Sequence, residues 1–266
     1  MRPEYRAGVP CWVETLQPDP HEALSFYGSV FGWDAAGIGV TPDGGAYVVA
    51  RIGSDDVAGI ATLPRSGAAE PQWATYVAVA DVDAAARRAR DAGGRVVVPP
   101  LDASPAGRLA IVEDPTGATF GLWQAAARRG AQRVNAPGAW AMSALTTPNV
   151  ERANAFYGAV FGWRTEPFQL GAADAVLYRL PGYVGGTEQQ PVPRDVVAVG
   201  MASPDGASHW NVDFWIDGID AALARVARGG GSVVTGPFDA PPFRRAVVRD
   251  PAGAVFSISE KTQRAS

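Results

Sequence analysis

Phe26-Tyr27-Gly28-Ser29-Val30-Phe31-Gly32-Trp33 is written a second time as Phe156-Tyr157-Gly158-Ala159-Val160-Phe161-Gly162-Trp163, with only Ser29 and Ala159 differing. The copies lie about half of the 266-residue chain apart. A period of that size asks whether everything around it repeats as well. It does. Asp81-Val82-Asp83-Ala84-Ala85 is answered by Asp217-Gly218-Ile219-Asp220-Ala221, and Gly93-Gly94-Arg95-Val96-Val97 by Gly230-Gly231-Ser232-Val233-Val234. Pro100-Leu101-Asp102-Ala103 returns as Pro237-Phe238-Asp239-Ala240, and Asp114-Pro115-Thr116-Gly117-Ala118 as Asp250-Pro251-Ala252-Gly253-Ala254. Order is kept and spacing drifts by a few residues, so the chain is a tandem duplication.

Each copy is long enough to bury a core. The expected domains are 8–125 and 136–260, with the segment from Gln124 to Pro137 as a short polar linker carrying Arg128, Arg129 and Arg133. The net charge of −4 and the lack of a long basic run speak against a nucleic-acid partner. No apolar run approaches a membrane span, and the first residues carry no apolar signal region. The single cysteine, Cys11, has no partner for an internal disulfide. The expectation is a soluble, cytoplasmic protein.

Local signals write the same unit four times. Residues 10–17 alternate as a strand. Asp19 then caps a helix with Pro20 at its first position and Glu22 three residues after the cap. Ala23, Phe26, Tyr27 and Val30 make one apolar helix face, and Gly32 ends it. Three short strands follow, near 33–38, 46–52 and 57–63, with turns rich in Gly, Asp and Pro. Trp73–Val79 is the next strand, Asp81 caps the next helix, and Gly93-Gly94 stop it. Strands near 95–99, 109–113 and 119–124 complete the half, the last two joined by the turn Asp114-Pro115-Thr116-Gly117. The fold class is therefore α+β: four βαβββ units in two tandem domains, with curled, mixed sheets, helices outside and an open cleft.

The four-unit pattern, the Phe-Tyr-Gly-x-Val-Phe-Gly-Trp stretch and the Asp-Pro-x-Gly turns together resemble the vicinal oxygen chelate superfamily. That group holds glyoxalase I, bleomycin-resistance proteins, fosfomycin-resistance enzymes and extradiol dioxygenases. The likeness covers nearly the whole chain. Its tandem form is similar to two-domain actinobacterial members, among them accessory proteins of anthracycline-type antibiotic pathways. The resemblance implies a divalent metal held by His or Glu at three kinds of strand position. Counted on this chain, those positions are Trp12 and Met142, Ala74 and Asn211, and Gly121 and Ser257. None is a His or a carboxylate, which such metals require, so no metal and no other cofactor is expected. Of the two histidines, His21 falls in a first helical turn, expected in solvent. His209 shares a strand face with Asn211.

Strand parity supplies the cleft face: Trp12, Glu14 and Leu16; His209, Asn211, Asp213 and Trp215; Tyr76, Trp123, Met142 and Ser257. Aromatic walls with a few hydrogen-bonding groups suit a flat, largely apolar ligand. Cys11 points away and reads as buried and inert. Trp33 and Trp163 read as core. By one mode of pairing in the family, one site holds Trp12, Glu14, Asn211, Asp213, Trp215 and Ser257, and a second holds Met142, Ala74, Tyr76 and Trp123. By the other mode, units pair within each half. Both arrangements stay open at this point.

The leading expectation is a metal-free binding protein for a planar aromatic small molecule, such as a polyketide antibiotic. It would act in self-resistance by sequestration or beside a tailoring oxidase. The alternative is a lyase, oxygenase or isomerase of the superfamily working through Glu14, His209 or Asp213. A monomer with an internal pseudo-dimer and a homodimer are both compatible with the duplication.

Overall fold

The structure, a computed structural model, describes residues 5–41, 44–64, 70–170, 173–186 and 193–262. The first half contains β1 (Pro10–Gln17), α1 (Pro20–Phe31), β2 (Asp34–Val40), β3 (Ala46–Ile52), β4 (Asp55–Thr62), β5 (Gln72–Ala78), α2 (Val82–Asp91), β6 (Arg95–Ala103), β7 (Gly107–Glu113) and β8 (Thr119–Ala125). The second contains β9 (Trp140–Thr147), α3 (Val150–Phe161), β10 (Arg164–Leu170), β11 (Ala173–Arg179), β12 (Val196–Ala202), β13 (His209–Trp215), α4 (Ile219–Arg228), β14 (Ser232–Ala240), β15 (Phe243–Arg249) and β16 (Val255–Lys261). The βαβββ unit does occur four times. The largest departure from the expected bounds is β6, which runs on through Pro99 and Pro100 to Ala103. It can do so because it is an edge strand, where a proline without an N–H breaks no ladder on its open side.

The helix ends follow the sequence signals. Asp19 accepts from the backbone N–H groups of His21 and Glu22, and Asn149 accepts from Arg152. Gly32 and Gly162 close their helices at φ 76° and 74°, a conformation that a side chain resists. Asp81 caps α2, but α4 opens on Gly218 with no side-chain cap. There Glu260 of β16 accepts from the Ile219 N–H at 3.0 Å, as Gln124 of β8 does for Val82. Removing a side-chain acceptor from an N-cap costs about 1 kcal/mol. Asp19→Ala should therefore lower stability by about 1 kcal/mol, read from the urea midpoint; an unchanged midpoint would contradict this role for the cap.

Hydrogen bonding orders the strands β2-β3-β4-β1-β5-β8-β7-β6 and β10-β11-β12-β9-β13-β16-β15-β14. The inner pairs β1/β4, β5/β8, β9/β12 and β13/β16 are parallel, bridged by the helices, and the outer meanders are antiparallel. The chain packs into two compact units that do not follow the repeat. One is Val13–Trp73, Ala131–Ala141 and Asn211–Ser266; the other is Met1–Trp12, Ala74–Gly130 and Met142–Trp210. Each unit joins a leading module from one half to a trailing module from the other.

In the first of these units α1 lies beside α4, with α1 on β3 and β4 and α4 on β14, β15 and β16. Its centre is aromatic. Tyr27 meets Trp73 edge-on at 5.3 Å, Trp73 meets Phe214 at 5.0 Å, and Phe31 meets Phe214 at 4.8 Å. In the second unit α2 lies beside α3, and Phe120, Phe156, Tyr157, Phe161, Trp163 and Trp210 repeat the arrangement. Trp33 and Trp163 are core, as expected. Their indole N–H groups donate at 2.7 Å to the carbonyls of Gly138 and Gly8. The segment taken from sequence as a polar linker is partly built in. Ala131 is buried, and Gln132 accepts from the Asp56 N–H at 3.0 Å.

Candidate functional site

Two buried polar networks explain why the repeated stretch carries a tyrosine. Tyr27 donates to Asp250 Oδ2 at 2.7 Å and accepts from Trp73 Nε1 at 3.1 Å. Tyr157 donates to Asp114 Oδ2 at 2.9 Å and accepts from Trp210 Nε1 at 2.9 Å. Asp250 and Asp114 are the first residues of the Asp-Pro-x-Gly turns. Asp250 Oδ1 also accepts from the N–H groups of Ala252, Gly253 and Ala254, and Gln17 reaches Oδ2. Sequence reasoning read these aspartates as turn formers only. Burial and the facing carboxylate push both tyrosine hydroxyls well above the ordinary range, so they stay protonated donors. These networks sit in the helix-backed cores and serve architecture.

A further polar network lies on the sheet face turned away from the helices. Across β13, β16, β15 and β14 the register aligns Trp215, Ser259, Arg245 and Phe238 in one row. Asp213, Ser257 and Val247 form part of the next. The alternation is plain on β13 and β16: Val212, Phe214, Phe256 and Ile258 are fully buried against the helix side. Arg245 Nη2 donates to Asp213 Oδ1 at 3.1 Å and Nε to Ser259 Oγ at 3.1 Å, while Ser259 Oγ donates to Asp213 Oδ1 at 2.7 Å. Asn211 Nδ2 donates to Ser257 Oγ at 2.6 Å. Trp215 and Phe243 flank this cluster with ring centroids 5.9 Å apart. Arg245 was not among the residues expected from sequence. A strand-parity count on β15, which puts Ala246 and Val248 in the core, is the signal that would have found it.

The remaining expected residues are distributed as follows. Glu14 is buried on β1, and its carboxylate accepts from the Tyr47 hydroxyl at 3.2 Å. Leu16 is half-buried on the same strand. Trp12 is buried beneath the Arg128 guanidinium, 5.4 Å from the ring centroid, and Trp123 Nε1 donates to the Arg128 carbonyl at 2.9 Å. Tyr76 is buried with its ring over Gly121, where any side chain would overlap it. Met142 packs on a small apolar cluster of Ala144, Leu177 and Val199. His21 and His209 are exposed. Cys11 is fully buried, and burial raises its thiol far above the reactive range.

The catalytic trio considered from sequence, Glu14, His209 and Asp213, is not assembled as a metal site. Among the described residues no three His, Cys, Asp or Glu side chains are grouped to hold an ion. Asp213 is instead committed to Arg245 and Ser259. At the counted ligand positions the residues are equally unsuited. Asn211 and Ser257 bond to each other, the Tyr76 ring covers Gly121, and Trp12, Met142 and Ala74 offer no imidazole or carboxylate. The donor set does not fit the divalent metal that the resemblance implies.

Comparison with known proteins shows the family and the fold. Residues 12–122 match the family model described as Glyoxalase/Bleomycin resistance protein/Dioxygenase superfamily, and residues 141–259 match a Glyoxalase-like domain. The chain is 40% identical over 263 residues to "Putative glyoxylase CFP32" of Mycobacterium tuberculosis (strain CDC 1551 / Oshkosh), covering 97% of this chain and 96% of the relative. It is 32% identical over 270 residues to the anthracycline biosynthesis protein DnrV of Streptomyces peucetius, covering 96% and 94%. Among solved structures, the Mn(II)-bound glyoxalase from Novosphingobium aromaticivorans shares the fold at TM-score 0.65 and 18% identity, covering 97% of this chain and 83% of that one.

Proposed function

The chain belongs to the glyoxalase/bleomycin resistance protein/dioxygenase superfamily, and on that premise we propose that it binds a planar aromatic small molecule without a metal. One observation carries the reading. Where the family arrangement calls for metal ligands, this chain has an amide bonded to a hydroxyl, flanked on the same strand face by an Asp213–Arg245 pair and the Trp215–Phe243 rings. Aromatic area supplies affinity for a flat ligand, and a few fixed polar groups orient it. The setting that suits a 32% relative of an anthracycline biosynthesis protein is sequestration of an aromatic product. It would serve as self-protection or relieve a tailoring oxidase of product inhibition.

The test is titration with an anthracycline, followed by tryptophan fluorescence and by calorimetry. Saturable quenching with a dissociation constant in the micromolar range or tighter is expected. Absence of both quenching and heat at micromolar ligand would remove the proposal. The rival reading, a lyase, draws on the name of the mycobacterial relative. It requires turnover of a 2-oxoaldehyde–thiol adduct, with activity restored by added divalent metal.

A further inference from the structure

The two trailing modules, equivalent by the repeat, differ in a way that assigns ligand recognition to one of them. The row Trp215–Ser259–Arg245–Phe238 of the second half corresponds to Ala78–Trp123–Leu109–Leu101 in the first. The next row replaces Asp213 and Ser257 by Tyr76 and Gly121. In these rows the first-half face carries no charged group and is filled by its own rings. Tyr76 lies over Gly121, and a methyl group on Gly107 would stand 2.8 Å from Trp123 Cζ2. The second-half face keeps a polar centre between aromatic ends.

That centre has a defined hydrogen-bonding pattern. Asp213 Oδ1 takes the bonds from Arg245 and Ser259, and Arg245 uses Nε and one Nη2 proton. Among the described residues, Asp213 Oδ2 and Arg245 Nη1 carry no further hydrogen bond. The two side chains are 7% and 15% exposed, so the pair is reachable without being dissolved in water. A guanidinium N–H donor beside a carboxylate acceptor, with the charges cancelling, is matched by a neutral ligand edge with an acceptor beside a donor.

We propose that the second-half face recognises planar aromatics by a carbonyl oxygen adjacent to an N–H or O–H, with Arg245 donating to the carbonyl and Asp213 accepting from the donor. Recognition is one ligand per chain, because the first-half face has neither group. The inference rests on the aromatic-binding reading and refines it to an edge chemistry. A site built to pair a polar edge rejects the analogue lacking it far more strongly than an apolar pocket distinguishes shapes.

The experiment uses phenanthridin-6(5H)-one and its N-methyl derivative, flat molecules that differ only in the lactam N–H. Calorimetry on the wild-type chain should show one site and at least ten-fold tighter binding of the N–H compound. In the double variant Asp213→Leu/Arg245→Leu, which removes both the acceptor and the donor and leaves no lone buried charge, discrimination should fall below about three-fold. The N-methyl compound keeps only the carbonyl contact to Arg245, so it should lose less affinity in the double variant than the N–H compound does. Equal wild-type affinity for the two compounds overturns the proposal without any variant, while leaving aromatic binding intact. So does discrimination that survives in the double variant, or a second site of equal affinity. If neither compound binds and an anthracycline does not either, the aromatic-binding reading falls with it; if the anthracycline alone binds, only the edge assignment is lost.

Discussion

Asp250→Ala is expected to destabilise the protein by about 3–5 kcal/mol, the range for removing one partner from a buried charged network. Asp250 is 4% exposed. Its carboxylate is the shared acceptor of the Tyr27 hydroxyl, the Gln17 amide and three backbone N–H groups of its own turn. Truncation strands the Tyr27, Gln17 and Ala254 donors where water does not reach. It also loosens the attachment of α1 from one half to the turn before β16 from the other. Asp250→Asn keeps one acceptor for the turn but sets an amide against Tyr27 and Gln17, so it should cost less, about 1–2 kcal/mol. Tyr27→Phe removes one hydroxyl and leaves Trp73 Nε1 without its acceptor, at a similar cost of about 1–2 kcal/mol. The order Ala, then Asn and Phe, read from urea unfolding by tryptophan emission and circular dichroism, is the diagnostic. Asp250→Ala within about 1 kcal/mol of wild type would show that the network does not hold the unit together. Asp114→Ala should behave alike, since its carboxylate serves Thr116, Ala118 and Tyr157 in the same manner.

A steep loss of stability above pH 10 is the second large effect. Burial raises the ionisation of Tyr27, Tyr157 and Cys11 in the folded chain, with the charges of Asp250 and Asp114 adding to it at the tyrosines. Each group is charged when deprotonated. The unfolded chain therefore releases its proton first, and folding loses ground as pH rises. Nothing is lost below about pH 7.5, where thiols and phenols are protonated in both states, and the loss sets in through the ordinary thiol range near pH 8.5. Cys11 then contributes a loss of about 1.4 kcal/mol per pH unit, and each tyrosine adds as much from about pH 10. With these three titrating, their share of the slope is about 4 kcal/mol per pH unit, and Tyr5, Tyr178 and Tyr183, also raised by burial, add to it. Against a typical total of about 5–15 kcal/mol, unfolding is expected near pH 11–12. Urea midpoints at pH 8, 10 and 11 test this, with Tyr27→Phe/Tyr157→Phe flattening the slope above pH 10. A midpoint that holds steady to pH 11 would contradict the burial of these ionisable groups.

Which features were legible in advance follows from what is local. Asp19 as a cap, Gly32 as a left-handed stop and the Asp114-Pro115-Thr116-Gly117 turn are short-range hydrogen-bonding problems that a few adjacent residues solve. The alternation on β13 fixed the shared face of Asn211, Asp213 and Trp215, because a strand has a period of two. The role of Tyr27 escaped that logic. Its helical spacing reported an apolar face, and its hydrogen-bond acceptor is more than two hundred positions away. Arg245 is legible only by carrying strand parity onto β15, where Ala246 and Val248 take the core side and leave Arg245 on the face of Asp213.

By itself the sequence determined the duplication and the four βαβββ units, which depend on residue identity, order and local periodicity alone. The family came by resemblance, and with it the counted metal-ligand positions, none of which carries an imidazole or a carboxylate here. The tertiary structure decided that a leading module packs with the trailing module of the opposite half. It also decided that the two trailing modules end as unlike faces, one filled by Tyr76 and Trp123 over glycines, one holding Asp213 with Arg245. The physical reason is that related modules present similar apolar surfaces on their helix-backed sides. The choice among partners is made by long-range contacts such as Tyr27 with Asp250 and Tyr157 with Asp114. No local pattern in the chain encodes them.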